Sequence, residues 1–279
     1  MKRIRMVGLC LVAVVALTAV AAGSAAAAEP ALYECGKAGK ETVKYISGGK
    51  EKSKSVATGS YTEKKCATLA PAGTYRAGGA PEGKYELREG IGKGKAFKGK
   101  GKGANLEIKG VGGVACTSSS DTGKFTGPKS AGGVSVTFKG CELLHHQCSN
   151  TATLGEIKTN LLKGEIGYIE GGKAKHEVGV ALSAETGLYE AEFHCAELEL
   201  RVAGAVIGLV TSPKNVFTKE ATLLFRQSAG EQAIKKLEGG LEQFLLTEGR
   251  SGGGAYGSPS ESGESDEVTN KGEELELKA

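Results

Sequence analysis

The chain has 279 residues with a formal net charge of +4, a length that suffices for one large domain or two small ones. Its 44 glycines are spread along the chain without a collagen-like period, which excludes a collagen-like rod. Aromatic residues make up only 5% and tryptophan is absent, so the stacking platforms typical of nucleic-acid-binding and many sugar-binding proteins are scarce.

The N-terminus has the features of a secretory signal peptide in their usual order. Basic residues open the chain, an apolar run extends from Val7 to Val20, and small residues continue to Ala28. We therefore predict a signal peptide at residues 1–28 and a secreted protein that is extracellular or cell-wall-associated. An uncleaved membrane anchor is the alternative, because the apolar stretch is nearly long enough to span a bilayer.

Residues 29–110 are basic and rich in Gly and Lys, and we predict that they form a small N-terminal β segment. Within them Gly90–Gly103 is expected to be irregular, because alternating Gly and Lys is typical of a flexible linker. Its five lysines are a candidate contact for an anionic cell-wall polymer, with a solvated basic hairpin as the alternative. They are Lys93, Lys95, Lys98, Lys100 and Lys102.

Two-residue alternation is strongest in residues 111–248, which we predict to be the main β domain. In Gly133–Cys141 apolar and polar residues alternate, as expected of a half-buried strand. Across the whole chain, further strands are predicted at Thr42–Ile46, Lys84–Arg88, Leu106–Lys109, Val111–Cys116, Leu162–Ile169, His176–Leu182 and Ala221–Arg226.

The segment Tyr189–Val202 also alternates, but its phase changes halfway. One extra residue would exchange the two faces of a strand, so we predict a β-bulge or bend near Ala196–Glu197. The first half places Glu190, Glu192 and His194 on one face, which we interpret as a polar outer face.

The C-terminal part shows weaker patterns. Apolar residues recur at helical spacing from Ile234 to Phe244, but Gly239 and Gly240 interrupt them, so we predict a turn and a strand there. Residues 249–279 are rich in Gly, Ser and Glu and are predicted to be a flexible tail. Alternation returns at Glu274–Lys278, a candidate final edge strand.

Short strands separated by Gly-rich turns predict an all-β fold, an antiparallel sandwich or barrel. Six of the seven cysteines follow the predicted cleavage site, and an even number in an exported chain indicates disulfides. The pairing we favour among the combinatorial alternatives is Cys35–Cys66, Cys116–Cys195 and Cys141–Cys148.

Zinc is an alternative for some of these cysteines, because Cys141, His145, His146 and Cys148 are residue types that zinc prefers. Their spacing matches no common zinc pattern, and exported thiols are expected to oxidise. The chain also lacks the G-x-S-x-G, H-E-x-x-H and EF-hand motifs. We therefore expect no catalytic residue, metal or cofactor.

Several segments carry a resemblance to known sequences. They read G-V-A-C-T-S from Gly113, T-G-K-F-T-G-P-K from Thr122, V-S-V-T-F-K-G-C from Val134 and F-H-C from Phe193. Together they resemble a group of secreted actinobacterial proteins with no assigned activity. The resemblance implies export and shared cysteines, and it transfers no site residue.

These observations favour a non-catalytic structural or adhesive protein, secreted or associated with the cell envelope. Two alternatives stay open: a secreted hydrolase whose carboxylate site is assembled in space, and a small-ligand-binding β-barrel. A structure with no concave pocket in which acidic groups converge would argue against the hydrolase, and a solid, side-chain-filled interior would argue against the binding barrel. We expect no nucleic-acid partner and no membrane span after cleavage.

Overall fold

The computed structural model describes residues 30–90, 94–172 and 176–279, so the predicted signal peptide lies outside it. The described chain consists of strands and turns, with a short 3-10 turn at Ala77–Gly79. Its strand pairs are antiparallel, which confirms the all-β prediction. Nowhere in these described ranges is there a helix long and apolar enough to cross a membrane.

Twenty strands are present in the described residues. The first ten are β1 (Ala31–Lys37), β2 (Lys40–Ser47), β3 (Lys50–Ala57), β4 (Tyr85–Glu89), β5 (Ala96–Ile108), β6 (Gly112–Cys116), β7 (Ser118–Gly127), β8 (Ser130–Lys139), β9 (Glu142–Leu143) and β10 (His146–Ser149). The others are β11 (Glu156–Lys158), β12 (Leu162–Tyr168), β13 (Val178–Ala184), β14 (Tyr189–Cys195), β15 (Leu198–Val210), β16 (Phe217–Phe225), β17 (Gln227–Ser228), β18 (Glu231–Gln232), β19 (Leu245–Ser251) and β20 (Ser260–Lys278).

Eight of these strands close into a barrel, which we call the first ring. Their order is β5, β7, β8, β12, β13, β15, β16 and β20, and β20 pairs back to β5. Because every member has a partner on both sides, the ring has no unpaired edge, the usual liability of an open sheet. The structure thus selects the barrel from the predicted sandwich or barrel.

A second ring of strand pairings shares three strands with the first. It runs through β5, β6, β9, β10, β14, β15, β19 and back along β20. The shared strands β5, β15 and β20 have 13, 13 and 19 residues, long enough to serve both rings. Residues 96–101 of β5 pair with β7 in the first ring, whereas residues 104–108 pair with β6 in the second.

The main apolar core fills the second ring and the junction between the rings. Its buried members include Val114 on β6, Phe193 on β14, Val202 on β15 and Leu245 on β19. These residues face inward because side chains alternate along each strand, so every second residue of each shared strand points to the interior.

Of the β-bulge or bend that we predicted near Ala196–Glu197, the structure shows a turn and no bulge. These two residues form the turn of a hairpin, and Cys195 pairs directly with Leu198. Ala196 adopts a φ of 50°, in the left-handed region that two-residue hairpin turns require. Residues opposite each other in a hairpin share a face, so both apolar sets point inward without an extra residue.

Two of the three predicted disulfide pairings are wrong. Cys35–Cys66 forms as expected, but the others are Cys116–Cys141 and Cys148–Cys195. Cys141 and Cys148 do lie opposite each other, since the Cys148 N–H donates to the Cys141 carbonyl at 2.8 Å. Each nevertheless bonds to the strand on its outer side, so the bridges tie the short β9–β10 hairpin to β6 and β14.

The two segments predicted to be flexible or irregular contain long strands. Ser260–Lys278 is not a tail with a final edge strand, because β20 pairs with β16, β5, β19 and β1. Most of the tract Gly90–Gly103 belongs to β5, which pairs on both sides. Residues 29–110 and 249–279 therefore contribute strands to the same sheet as residues 111–248.

Candidate functional site

A cavity of about 230 Å³ lies inside the first ring and extends to its junction with the second ring, where residues of β6, β14 and β19 line it. Its walls are mainly apolar side chains from β5, β7, β8 and β13, including Phe97, Phe125, Val136, Phe138 and Val180. The volume far exceeds the roughly 10–15 Å³ that seats one water molecule. The barrel is therefore not filled by its own side chains.

The cavity reaches the surface at one place. Its exposed lining residues lie at the start of β16, in the turn before it and in the second half of β20, and they include Pro213, Lys219 and Gly272. Here the register between β16 and β20 shifts between Thr218 and Glu220. A shift of register interrupts regular pairing and spreads the strands, so this irregularity provides the opening.

Two glycines of β5 make room for polar groups inside the barrel. A Cβ on Gly99 would overlap Asp121 Oδ2 of β7 and lie 2.7 Å from Asn270 Oδ1 of β20. A Cβ on Gly101 would overlap Ser119 Oγ and lie 2.5 Å from Asp266 Oδ1. Because both glycines face inward and lack side chains, polar groups of β7 and β20 meet across β5.

The first pair of carboxyl groups, Asp121 and Asp266, is 8% and 5% exposed. The Ser119 hydroxyl donates a hydrogen bond of 2.5 Å to Asp266 Oδ2. Burial, followed by the charge of Asp266, raises the pKa of Asp121 to about 6. Burial also raises the pKa of Asp266, against the opposing effect of the Ser119 bond.

Two further buried carboxyl groups, Glu264 and Glu190, lie near this pair. Glu264 lies two residues before Asp266 on the inner face of β20, and burial followed by the charge of Asp266 raises its pKa to about 8. Glu190 lines the cavity from β14 and is only 6% exposed. Burial, with a smaller contribution from Glu264, raises the pKa of Glu190 well above its usual range.

Glu190 faces inward because of a β-bulge, which corrects our interpretation that it belongs to a polar outer face. Tyr189 pairs with Ala203 and Ala191 pairs with Val202, so Glu190 is the extra residue between them. Both Glu190 and Ala191 are buried, whereas Glu192 and His194 are exposed as expected. The bulge thus re-aims one carboxyl group into the cavity.

Asp121, Glu190, Glu264, Asp266 and Asn270 together form what we call the polar row. Several of its oxygen atoms have no hydrogen-bond partner among the described residues. They are Asp121 Oδ1, Glu190 Oε1, Asp266 Oδ1 and Asn270 Oδ1. A buried polar atom without a partner costs roughly 1–3 kcal/mol. This cost indicates that the polar row serves something other than stability.

The structure places the predicted lysines on the outside of the barrel. Lys98, Lys100 and Lys102 are exposed and alternate with the inward glycines, and Lys124 of β7 is exposed on the neighbouring strand. Lys95 forms an ion pair of 2.8 Å with Glu34, and Lys93 lies outside the described residues. The lysines and the polar row thus occupy opposite faces of one sheet.

The zinc alternative does not fit the structure. Both of its thiols are oxidised, Cys141 with Cys116 and Cys148 with Cys195. Within the described ranges, no group of three or more His, Cys, Asp or Glu side chains is arranged to hold a metal ion.

Sequence reasoning missed the whole polar row. One signal was available in the alternation Lys98-Gly99-Lys100-Gly101-Lys102, which has the period of a strand with a side-chain-free inner face. A second was the two-residue spacing of Glu264 and Asp266. The bulge at Glu190 leaves no such signal in the sequence, because apolar and polar residues alternate in the ordinary way on both sides of the inserted residue.

Comparison of the chain with protein-family models, with curated proteins and with solved structures yields no match. The resemblance to secreted actinobacterial proteins therefore stays a prediction.

Proposed function

We propose that the protein is a non-catalytic binding protein that holds an apolar small molecule inside the first ring. The observation that carries this proposal is the open, mainly apolar cavity of about 230 Å³ inside the barrel. Concave, mostly apolar sites with a few polar groups are typical of small-molecule binding. Phe side chains contribute to the walls but Trp and Tyr do not, which favours an apolar ligand over a sugar.

We further propose that binding takes place outside the cytoplasm. Three disulfides support this location, because disulfides persist mainly in oxidising compartments.

Straight-chain alcohols of increasing length test the proposed function by calorimetry. Each methylene removed from water contributes about 0.8 kcal/mol, so affinity should rise roughly three- to fourfold per added carbon. The rise should stop once the chain fills the cavity. Failure of all alcohols to bind, or an affinity independent of chain length, would contradict the proposal.

A matched pair of variants locates the binding. Val136→Phe fills part of the cavity and should shorten the chain length at which affinity stops rising. Thr137→Phe adds the same ring to the neighbouring residue of β8, which does not line the cavity, and should leave that length unchanged. Equal effects of the two variants would place the alcohols elsewhere. Turnover of a bound ester would instead support the hydrolase alternative.

The lysines on the outer face support a second candidate function, adhesion to an anionic cell-wall polymer. Lys98, Lys100 and Lys102 project from the same face of one strand, with Lys124 beside them. Retention on insoluble cell wall should be lost at high salt, because exposed charges are screened within about 10 Å at 0.1 M salt. Replacing the three lysines of β5 with serine should abolish retention; unchanged retention would contradict this role.

A further inference from the structure

The polar row offers acceptors to a ligand, and among the residues that the structure describes no Lys or Arg forms an ion pair with it. Each of its unpartnered atoms is a carboxyl or amide oxygen. Three of the side chains that carry them, Asp121, Glu190 and Asp266, are more than nine-tenths buried and line the cavity. These oxygens can be satisfied by a ligand that brings hydrogen-bond donors.

The charges around the cavity are unbalanced. Those inside are all acidic, and basic groups among the described lining residues occur only at the opening. The ionisable lining residues are Asp121, Glu190, Glu264 and Asp266 inside, and Lys219, Glu220, Lys271 and Glu273 at the opening. Lys271 already forms an ion pair of 2.7 Å with Glu220. The interior therefore favours a positive charge and disfavours a negative one.

We propose, on the basis of the ligand-binding function above, that the cavity selects apolar amines. The ammonium group would lie against Glu190, Glu264 and Asp266 of the polar row, and the apolar body against the Phe and Val side chains of β5, β7 and β8. An ammonium group carries three donors and one positive charge, which matches a cluster of oxygen acceptors. Burying this charge is tolerable only because carboxylates accompany it.

The protonation of the polar row supports this ligand class. Burial raises the pKa values of all four carboxyl groups, and a neighbouring carboxyl group of the row raises those of Asp121, Glu190 and Glu264 further, so Glu264, with a pKa of about 8, is largely protonated at neutral pH. A neighbouring ammonium ion stabilises the ionised carboxylate and lowers its pKa. Binding of an amine near neutral pH should therefore release a proton, whereas binding of an alcohol should not.

The experiment measures by calorimetry how tightly n-octylamine, n-octanol and octanoate each bind to the purified protein near neutral pH. These ligands share an alkyl chain and differ in charge. We expect octylamine to bind at least about tenfold more tightly than octanol, and octanoate to bind more weakly than both. Measurement in two buffers of different ionisation enthalpy should reveal proton release for octylamine alone.

Carboxyl-to-amide variants connect this preference to the polar row. Glu264→Gln and Glu190→Gln should each reduce the preference for octylamine over octanol at least about fivefold. Glu192→Gln, which changes an exposed neighbour on β14, should retain the preference. Far-UV circular dichroism of each variant shows that it is folded.

The possible failures are distinguishable. If octanol binds as tightly as octylamine, or if both cavity variants keep the preference, the amine selectivity is wrong while the binding function stands. If none of the three compounds binds, the proposed function itself is wrong.

Discussion

At the scale of single residues, Gly99 and Gly101 determine what the barrel can contain. Side chains at these positions would occupy the space in which Ser119, Asp121 and Asp266 meet across β5. Neither requires a left-handed backbone, so their role is the space that they leave rather than an unusual φ. The same two residues that made this segment look like a linker allow a polar row inside an apolar barrel.

We expect Gly101→Ala to destabilise the protein by about 1–3 kcal/mol, because the new Cβ must displace buried groups. Gly103→Ala on the same strand is the matched control, since its nearest contact would be 3.6 Å away at the Cys116 carbonyl oxygen. The control should be neutral or slightly stabilising. Urea unfolding measures both; equal stabilities would show that the space above Gly101 is not needed.

The raised pKa values predict that stability falls as pH rises. Asp121 and Glu264 have pKa values of about 6 and about 8, above the ordinary 3.8 and 4.5. The native state thus binds these protons more tightly than the unfolded state. Their contribution is complete below about pH 4 and is lost as pH rises through 6 and then 8.

Glu264→Gln tests this pH dependence by thermal unfolding. The amide cannot ionise, so the variant should melt several degrees above the parent at about pH 9 and close to it at about pH 5, given roughly 2–4 °C per kcal/mol for this size. Glu267→Gln changes an exposed neighbour on β20 and should follow the parent at both pH values. A parent more stable at about pH 9 than at about pH 5 would contradict the assignment.

At the scale of elements, strands with one apolar face were predictable and strands with a polar inner face were not. β8, β12, β13 and β16 show apolar alternation, and the predicted ranges overlap them. β20 turns Ser262, Glu264, Asp266 and Asn270 to the inside, so its sequence lacks the apolar period on which strand prediction depends. Locally inconsistent patterns of this kind are expected where a chain carries a functional site.

The pairing of β20 on both sides predicts that it tolerates no proline. Thr269 lies opposite both Thr222 of β16 and Lys100 of β5. Thr269→Pro should cost about 3 kcal/mol or more, because it removes a backbone donor and distorts the strand. Thr269→Val keeps the donor and the β-branched shape and should stay folded. Circular dichroism during heating compares them; a proline variant as stable as the parent would restore the flexible-tail prediction.

At the scale of the whole molecule, the all-β class followed from the sequence, but closure of the barrel did not. Closure depends on the pairing of β13 with β15 and of β5 with β20, and neither partner shows in its own sequence which strand it will meet. The cysteines pose the same difficulty, because Cys141 and Cys148 each have a cysteine on either side in space. The cavity follows from closure, so its existence was no more predictable than the ring.

The position of β20 has a consequence for how the protein folds. It pairs with strands as far back as β1, and both rings remain open until it docks, although it follows every other described strand in sequence. Bringing residues 98–108 to residues 262–271 is a contact of long range in sequence, and such contacts slow folding. A nascent chain emerging from its N-terminus would therefore hold incomplete sheets with exposed edges until β20 was synthesised. During that interval the edges of β1, β5, β16 and β19 that β20 covers are unpaired, and exposed strand edges of this kind promote aggregation.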